Sequence, residues 1–352
     1  MMVLGRNILR SNFGRLDFPY KLTFPITDRC NSKCLMCGIW KRKPKNELTL
    51  EEIRKFFANS NRFSWIDLTG GEVFMREDFF EIVETILREC RNLFLLHFPT
   101  NGLLTDRIVT NVHKIQKLKT CKIIITVSMD GYEELNDEIR GVPGGWKKQM
   151  ETFIQLYEIP GVHVVLGMTL SPYNYNGFRE TFTAAKGIFP KLKYKDFHVN
   201  IAHVSNHYYN NQQLQENYFP GQEVATEIAQ YMKYRGLPLS PVGFLEWQYL
   251  RRVKDFMLSR KTPLRCHAMH SSCFLDPQGN VYPCAMYGSN MGNLRDHNYD
   301  IAEIWHSDRC KKIQTEIWNF NCPQCWTPCE AYQSIFGNLF AHRNKHSSPT
   351  NM

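Results

Sequence analysis

The sequence predicts an α/β fold, a partial (β/α)6 TIM-type barrel with a small cysteine-rich C-terminal α+β domain. Three observations predict it. Between residues 20 and 205, short β-rich runs alternate with amphipathic helical runs. Polar or glycine-bearing residues follow directly on each of six strand candidates. From about Pro263 the character changes to cysteines, prolines and short turns. Repeated βα units dictate a parallel sheet with helices outside, and right-handed crossovers curl it toward a barrel.

The strand candidates are Tyr20–Ile26, Trp65–Thr69, Leu93–Pro99, Lys122–Met129, Val162–Leu170 and Phe197–His203. Thr49-Leu-Glu-Glu52 reads as a capping box opening a helix through about Ala58. Phe79–Arg91, Asp106–Leu118, Trp146–Tyr157 and Gly177–Ile188 carry apolar residues at three- and four-residue spacing, the mark of an amphipathic helix. Glu223–Tyr234 and Val242–Arg260 read as helices bridging to the tail. Asp276-Pro-Gln-Gly279 is a β-turn, expected to join FLD to NVYP in a hairpin. The expected division is an N-terminal extension (1–17), a barrel core (18–222), bridging helices (223–262), a cysteine-rich auxiliary domain (263–335) and a tail (336–352) ending in disorder.

No run approaches the roughly 20 apolar residues of a membrane span. The N-terminus has no apolar stretch followed by a small-residue cleavage site, so a cytoplasmic location is expected. In a reducing compartment, 12 cysteines call for an explanation other than disulfides. Cys90 and Cys121 stand alone in apolar segments and read as core residues. The others fall within 30–37 and 266–329. The net charge of +9 is diffuse, and no basic stripe interleaved with aromatics suggests nucleic acid. The densest basic run, KRKPK at 41–45, reads as a solvated loop, with charge steering of an acidic electron donor as the alternative.

The six strand exits read TDRC, TGGE, TNG, SMDG, TLSPYN and AHVSNH. Barrel-like α/β folds gather their sites at these C-terminal strand ends. In the first exit, Cys30-x3-Cys34-x2-Cys37 places three thiolates at offsets that wrap one face of an iron–sulfur cubane and leave one iron open. Structural zinc takes four ligands, and no cysteine or histidine lies between Trp40 and Trp65 to supply a fourth nearby.

This motif, behind the first strand of an α/β domain, resembles the radical S-adenosylmethionine (SAM) superfamily, except that Met36 stands where an aromatic residue is common. The resemblance implies a 4Fe–4S cluster on Cys30, Cys34 and Cys37 whose open iron chelates SAM. It implies reductive cleavage to a 5′-deoxyadenosyl radical, which takes hydrogen from a substrate C–H bond. Thr69-Gly-Gly-Glu72 looks like the family's GGE motif, so Gly70, Gly71 and Glu72 are expected at the cofactor's ammonium. Asn101, Ser128 and Asp130 are expected at its ribose or carboxylate, and Met168–Thr169 near its adenine.

In the tail, Cys266-x12-Gly279-x4-Cys284 followed by Cys322-x2-Cys325-x3-Cys329 resembles the SPASM or shorter twitch extension of many radical enzymes. One auxiliary 4Fe–4S cluster is expected, on Cys266, Cys284, Cys322 and Cys325, with Cys329 competing for a place. Cys273 and Cys310 leave a second cluster open, although Cys310 reads as structural. His267 and His270 read as hydrogen-bonding neighbours of the cluster, His203 and His207 as substrate-facing, and Tyr208 and Tyr209 as pocket walls.

The expected function is a radical SAM enzyme acting on a small metabolite or peptide, supplied with electrons by a flavodoxin- or ferredoxin-type donor. The exact reaction and the catalytic residues stay unassigned. A maturase of a ribosomal peptide or a sulfatase is the alternative within the family. With 29 residues before Cys30, a peptide held by an N-terminal binding module is disfavoured. The rivals outside it are an electron-transfer protein, which has no use for an open iron, and a zinc-binding interaction protein.

Overall fold

The computed structural model describes residues 2–118, 120–216 and 219–340, so the expected disorder from residue 341 onward lies outside it. Six parallel strands run in sequence order: β1 (Lys21–Thr27), β2 (Trp65–Gly70), β3 (Leu95–Thr100), β4 (Lys122–Ser128), β5 (Val162–Leu170) and β6 (Phe197–Ile201). All six strands stand within a few residues of their expected positions.

Side chains alternate across the curved sheet. Outward, Leu22, Phe24, Ile66, Leu68, Leu96, Phe98, Ile123 and Ile125 are fully buried beneath the helices. Each such burial contributes about 1.5–3 kcal/mol. Inward, Leu95, His97, Ile124, Thr126, Ser128, His198 and Asn200 keep partial exposure along β3, β4 and β6. Lys21, Thr23, Trp65 and Asp67 on β1 and β2 are buried, so the lumen is partly open on one side. Met168 belongs to the outward, fully buried set, so only its neighbour Thr169 faces the lumen.

The capping box at Thr49 and Glu52 forms as expected. Among the described residues, four helices were not expected: Met2–Ser11, Glu133–Arg140, Ile301–Trp305 and Pro328–Gly337. Met2–Ser11 leads into Asn12, which bonds the carbonyl of Phe336 at 2.8 Å and ties the N-terminus to the C-terminal helix Pro328–Gly337. Glu133–Arg140, EELNDEIR, is short and carries its period on only two large apolar residues, Leu135 and Ile139.

The tail does not build a sheet of its own. Strand β7 (Ser272–Leu275) pairs in parallel with β1, and β8 (Asn280–Tyr282) and β9 (Gly292–Asn293) follow as an antiparallel meander. One nine-stranded sheet therefore runs through both parts, in the order β6-β5-β4-β3-β2-β1-β7-β8-β9. Lys21 pins the joint. Its wholly buried ammonium meets Asp67 at 3.1 Å and Gln333 at 3.1 Å, donates to the carbonyl of Cys329, and lies 4.6 Å from the centre of the Trp65 ring.

Candidate active site

The loop after β1 carries Cys30, Cys34 and Cys37, all partly exposed. Burial pushes the Cys30 thiol up to about 11 and Cys37 to about 12, and repulsion among the three adds to this. The loop folds back on itself here, the Cys37 N–H donating to the Cys34 carbonyl at 3.2 Å. Arg140, from the helix Glu133–Arg140, acts on all three in the opposite direction. It pairs with Asp130, and its Nε is buried without a hydrogen-bond partner among the described residues.

The GGE turn is zipped onto this loop. Gly71 N–H donates to the Thr27 carbonyl at 2.8 Å and Glu72 N–H to the Arg29 carbonyl at 2.7 Å. A Cβ on Gly70 would lie 2.2 Å from the Thr27 oxygen, and one on Gly71 would lie 2.1 Å from the Arg29 oxygen. Only glycine permits that approach. The Glu72 carboxylate is committed within the protein: it accepts from Thr100 Oγ1 at 2.9 Å, Asn101 N–H at 2.6 Å and Phe74 N–H at 3.2 Å. Asn101 reaches back to Asn31 in the cysteine loop at 2.6 Å. Asp130, besides holding Arg140, accepts from Thr169 N–H at 2.9 Å. Ser128 ends β4 on the lumen face. These strand exits therefore brace one another around the cysteine loop, and Arg140 is the group that sequence reading missed.

In the tail, burial and the Glu330 carboxylate raise Cys266 and Cys284 well above the usual thiol range, with Cys325 contributing to both. Cys322 acts on Cys266 and Cys325. The thiol of Cys329 responds to Lys21, Asp67 and, like Cys266, Cys284 and Cys325, to Glu330, and it shares Tyr209 and Tyr249 with Cys325. Cys273 and Cys310 are fully buried in the hydrophobic core.

The histidines depart from expectation. His203 receives Trp326 N–H at 3.1 Å and bonds the Ile201 carbonyl at 2.9 Å; His207 bonds the Cys284 carbonyl at 2.9 Å. Both stitch the β6 exit to the tail. His267 and His270 make ring contacts with Trp318, at 5.7 and 4.3 Å. Tyr208, bonded to Thr69 at 3.0 Å, is a wall of the lumen mouth.

Residues 24–185 match the family model of the radical SAM superfamily, and residues 266–330 match the SPASM iron–sulfur cluster-binding domain. The chain belongs to the radical SAM superfamily. Its tail is a SPASM-type auxiliary domain. Among the relatives, the subtilosin biosynthesis protein AlbA of Bacillus subtilis is 23% identical over 92% of this chain, which spans 66% of that protein. The sporulation killing factor maturation protein SkfB, also of Bacillus subtilis, is 29% identical over 46% of this chain and 38% of its own length. The chain thus spans less than two thirds of either. Among solved structures, Streptococcus suis SuiB bound to SAM has a TM-score of 0.60 at 17% identity, covering 88% of this chain and 70% of its own. The anSMEcpe structure with bound SAM has a TM-score of 0.58 at 15% identity, covering 85% and 84%.

A radical SAM domain binds a 4Fe–4S cluster and SAM, and a SPASM domain binds auxiliary iron–sulfur clusters; this chain carries both domains. The donor sets suit both groups. Three partly open thiols beside a cation suit a cluster with a free iron and an anionic ligand, and the thiols of the tail suit an auxiliary cluster. Among the described residues, no helix is long and apolar enough to cross a membrane.

Proposed function

We propose that this enzyme takes a hydrogen atom from a C–H bond of a peptide bound in the lumen. The observation that carries the reading is the trio Cys30, Cys34 and Cys37 beside Arg140, at the mouth of a polar lumen. When bound, the cluster and SAM supply a 5′-deoxyadenosyl radical. Cys30, Cys34 and Cys37 hold that cluster. The backbone of Gly70 and Gly71 forms the floor of the cofactor site, with Glu72 ordering the exits of β2 and β3. Asn101 and Ser128 line its edge. Asp130 orients Arg140, whose guanidinium neutralises the cofactor carboxylate. Cys266, Cys284, Cys322 and Cys325 hold the auxiliary cluster, and the low-potential electron comes from a flavodoxin- or ferredoxin-type protein.

A peptide substrate is supported by the relatives named for subtilosin biosynthesis and sporulation killing factor maturation, and by a SuiB structure bound to its precursor peptide. A metabolite substrate is the second reading. It is favoured by the SAM-dependent heme synthase of Oleidesulfovibrio alaskensis, 24% identical over 86% of this chain and 79% of its own.

The test is anaerobic reconstitution with dithionite and SAM, with candidate precursor peptides from neighbouring genes supplied. Wild type should release 5′-deoxyadenosine, and a true substrate should speed that release. Cys34→Ala should release none yet keep about four irons in the tail. No 5′-deoxyadenosine from fully loaded wild type, with every peptide tried, would sink the reading.

A further inference from the structure

The helices Gly221–Arg235 and Pro241–Ser259 are joined by the turn Gly236-Leu-Pro-Leu-Ser240. Leu237 is 82% exposed and Leu239 100%, and Val242 and Phe244 follow at 40% and 49%. A single exposed leucine is ordinary, but four large apolar side chains standing out from one short stretch need an occupant. The turn itself does not require them. Gly236 and the two prolines set its path, and Ser240 caps the second helix by accepting from Gly243 N–H at 3.1 Å.

Tyr231 and Arg235 both donate to the Phe197 carbonyl, at 2.6 and 3.1 Å, which places this turn beside the start of β6. The first six strands are parallel, and Cys30, Cys34 and Cys37 follow the end of β1. The apolar turn and the cysteine loop therefore lie at opposite ends of the barrel.

Beside the turn runs a groove of about 680 Å³. Phe182, Tyr194 and Tyr234 stack in a column along it, with ring centres 3.8 and 5.2 Å apart. Lys186, Lys193 and Lys195 line the groove and are exposed, as is Lys233 next to Tyr234. The nearby carboxylates are paired or buried: Glu246 meets Arg235 at 2.9 Å, Glu158 meets Lys191 at 3.5 Å, and Asp196 is 6% exposed. This flank is cationic. Beyond the turn, Phe244 stacks with Trp247 at 6.2 Å, and Arg251 lies 5.5 Å from the Trp247 ring.

We propose that this turn attaches the enzyme to an anionic membrane surface. Leucines that project from a turn, flanked by aromatic rings and lysines, match the boundary between acyl chains and headgroups. Leu237, Leu239 and Phe244 enter the acyl boundary, with Tyr234 and Trp247 at headgroup level. Lys186, Lys193, Lys195 and Lys233 face the lipid phosphates, and their charge selects anionic lipid. The attachment is peripheral and independent of the radical chemistry. Held this way, the barrel mouth points away from the lipid and stays open to the solution.

The experiment floats the cluster-loaded full chain with extruded vesicles, of phosphatidylcholine alone or mixed equally with phosphatidylglycerol. Wild type should rise with the mixed vesicles and not with phosphatidylcholine, and about 1 M salt should release much of it. Leu237→Ser with Leu239→Ser should weaken binding about 100-fold, roughly tenfold for each leucine withdrawn from lipid. Lys186→Gln, Lys193→Gln and Lys195→Gln together should also weaken it about 100-fold, roughly fivefold for each lysine. Both variants change exposed residues, so iron content, melting temperature and release of 5′-deoxyadenosine should match wild type. Failure of wild type to bind the mixed vesicles overturns the proposal. So does equal binding to both kinds of vesicle, or equal binding by wild type and the leucine variant. Self-association in light scattering that the leucine substitutions abolish, with no vesicle bound, assigns the turn to a second copy of the chain and overturns it too.

Discussion

The two cysteine groups offer the same ligand chemistry in opposite surroundings. Cys30, Cys34 and Cys37 are partly exposed on a loop that runs from Arg29 to Asn46 with six basic residues and no acidic one. Arg140 stands beside them. Cys266 and Cys284 are 8% and 6% exposed, and their neighbour is Glu330, 3% exposed, with one carboxylate oxygen lacking any hydrogen-bond partner among the described residues. A cation favours anions and added electrons nearby; a buried carboxylate disfavours both. The first group thus has a cation beside it along with the Glu72 and Asp130 carboxylates, and the second a carboxyl that burial raises to about 7. Lys21 sits where the two halves meet.

The largest way to break this arrangement is to remove Lys21. Lys21→Met leaves Asp67 buried without its ammonium and deprives the Cys329 carbonyl and Gln333 of their donor. Stripping one partner from a buried pair costs about 3–5 kcal/mol. The loaded protein should therefore unfold at a markedly lower temperature. Lys21→Met with Asp67→Leu should recover part of the loss. An unchanged midpoint in the single variant would mean that the joint is held elsewhere.

A smaller effect separates the two electrostatic settings. Arg140→Gln removes the cation from the first cysteine group and unpairs Asp130. Truncating a buried charge partner costs about 2 kcal/mol or more, which is roughly a 30-fold loss of affinity. Equilibrium binding of SAM to the loaded variant should weaken by about that factor, with the iron content unchanged. Equal affinity in wild type and variant would remove Arg140 from the cofactor site.

Arg140 also shows where sequence reading stops. The spacing of Cys30, Cys34 and Cys37 is local, so three thiols in one loop are legible from the chain alone. The strands are legible too, because each is a β-rich run between turn residues. Arg140 ends a helix with only two large apolar residues, Leu135 and Ile139, and pairs with a residue ten positions away on another element. Glu72 and Asp130 stand at the strand exits as expected, but their oxygens are committed to Thr100, Asn101, Arg140 and Thr169, which spacing does not reveal. The pairing of β7 with β1 joins Lys21 to Ser272 in parallel register. Parallel pairing across such a separation leaves no turn signal between the partners. The bonds of His203 and His207 to the tail are hidden for the same reason.

His203 allows the gentlest test of the joint. Its ring holds the Trp326 N–H on Nε2, which requires the neutral imidazole as acceptor, while Nδ1 faces the Ile201 carbonyl. Burial lowers its pKa from the ordinary value to about 4. The folded protein therefore binds fewer protons at His203 than the unfolded chain does between about pH 6.5 and pH 4. This contribution to stability is complete above the unfolded value, shrinks as pH falls through that window, and is gone below it. In anaerobic denaturation of the loaded protein, wild type should lose stability from pH 7 to pH 5. His203→Gln, which can accept the same bond but does not titrate, should lose less. Parallel curves for the two proteins would show that His203 is not protonated on unfolding in this range, and the β6–tail contact would then owe its pH dependence to another group.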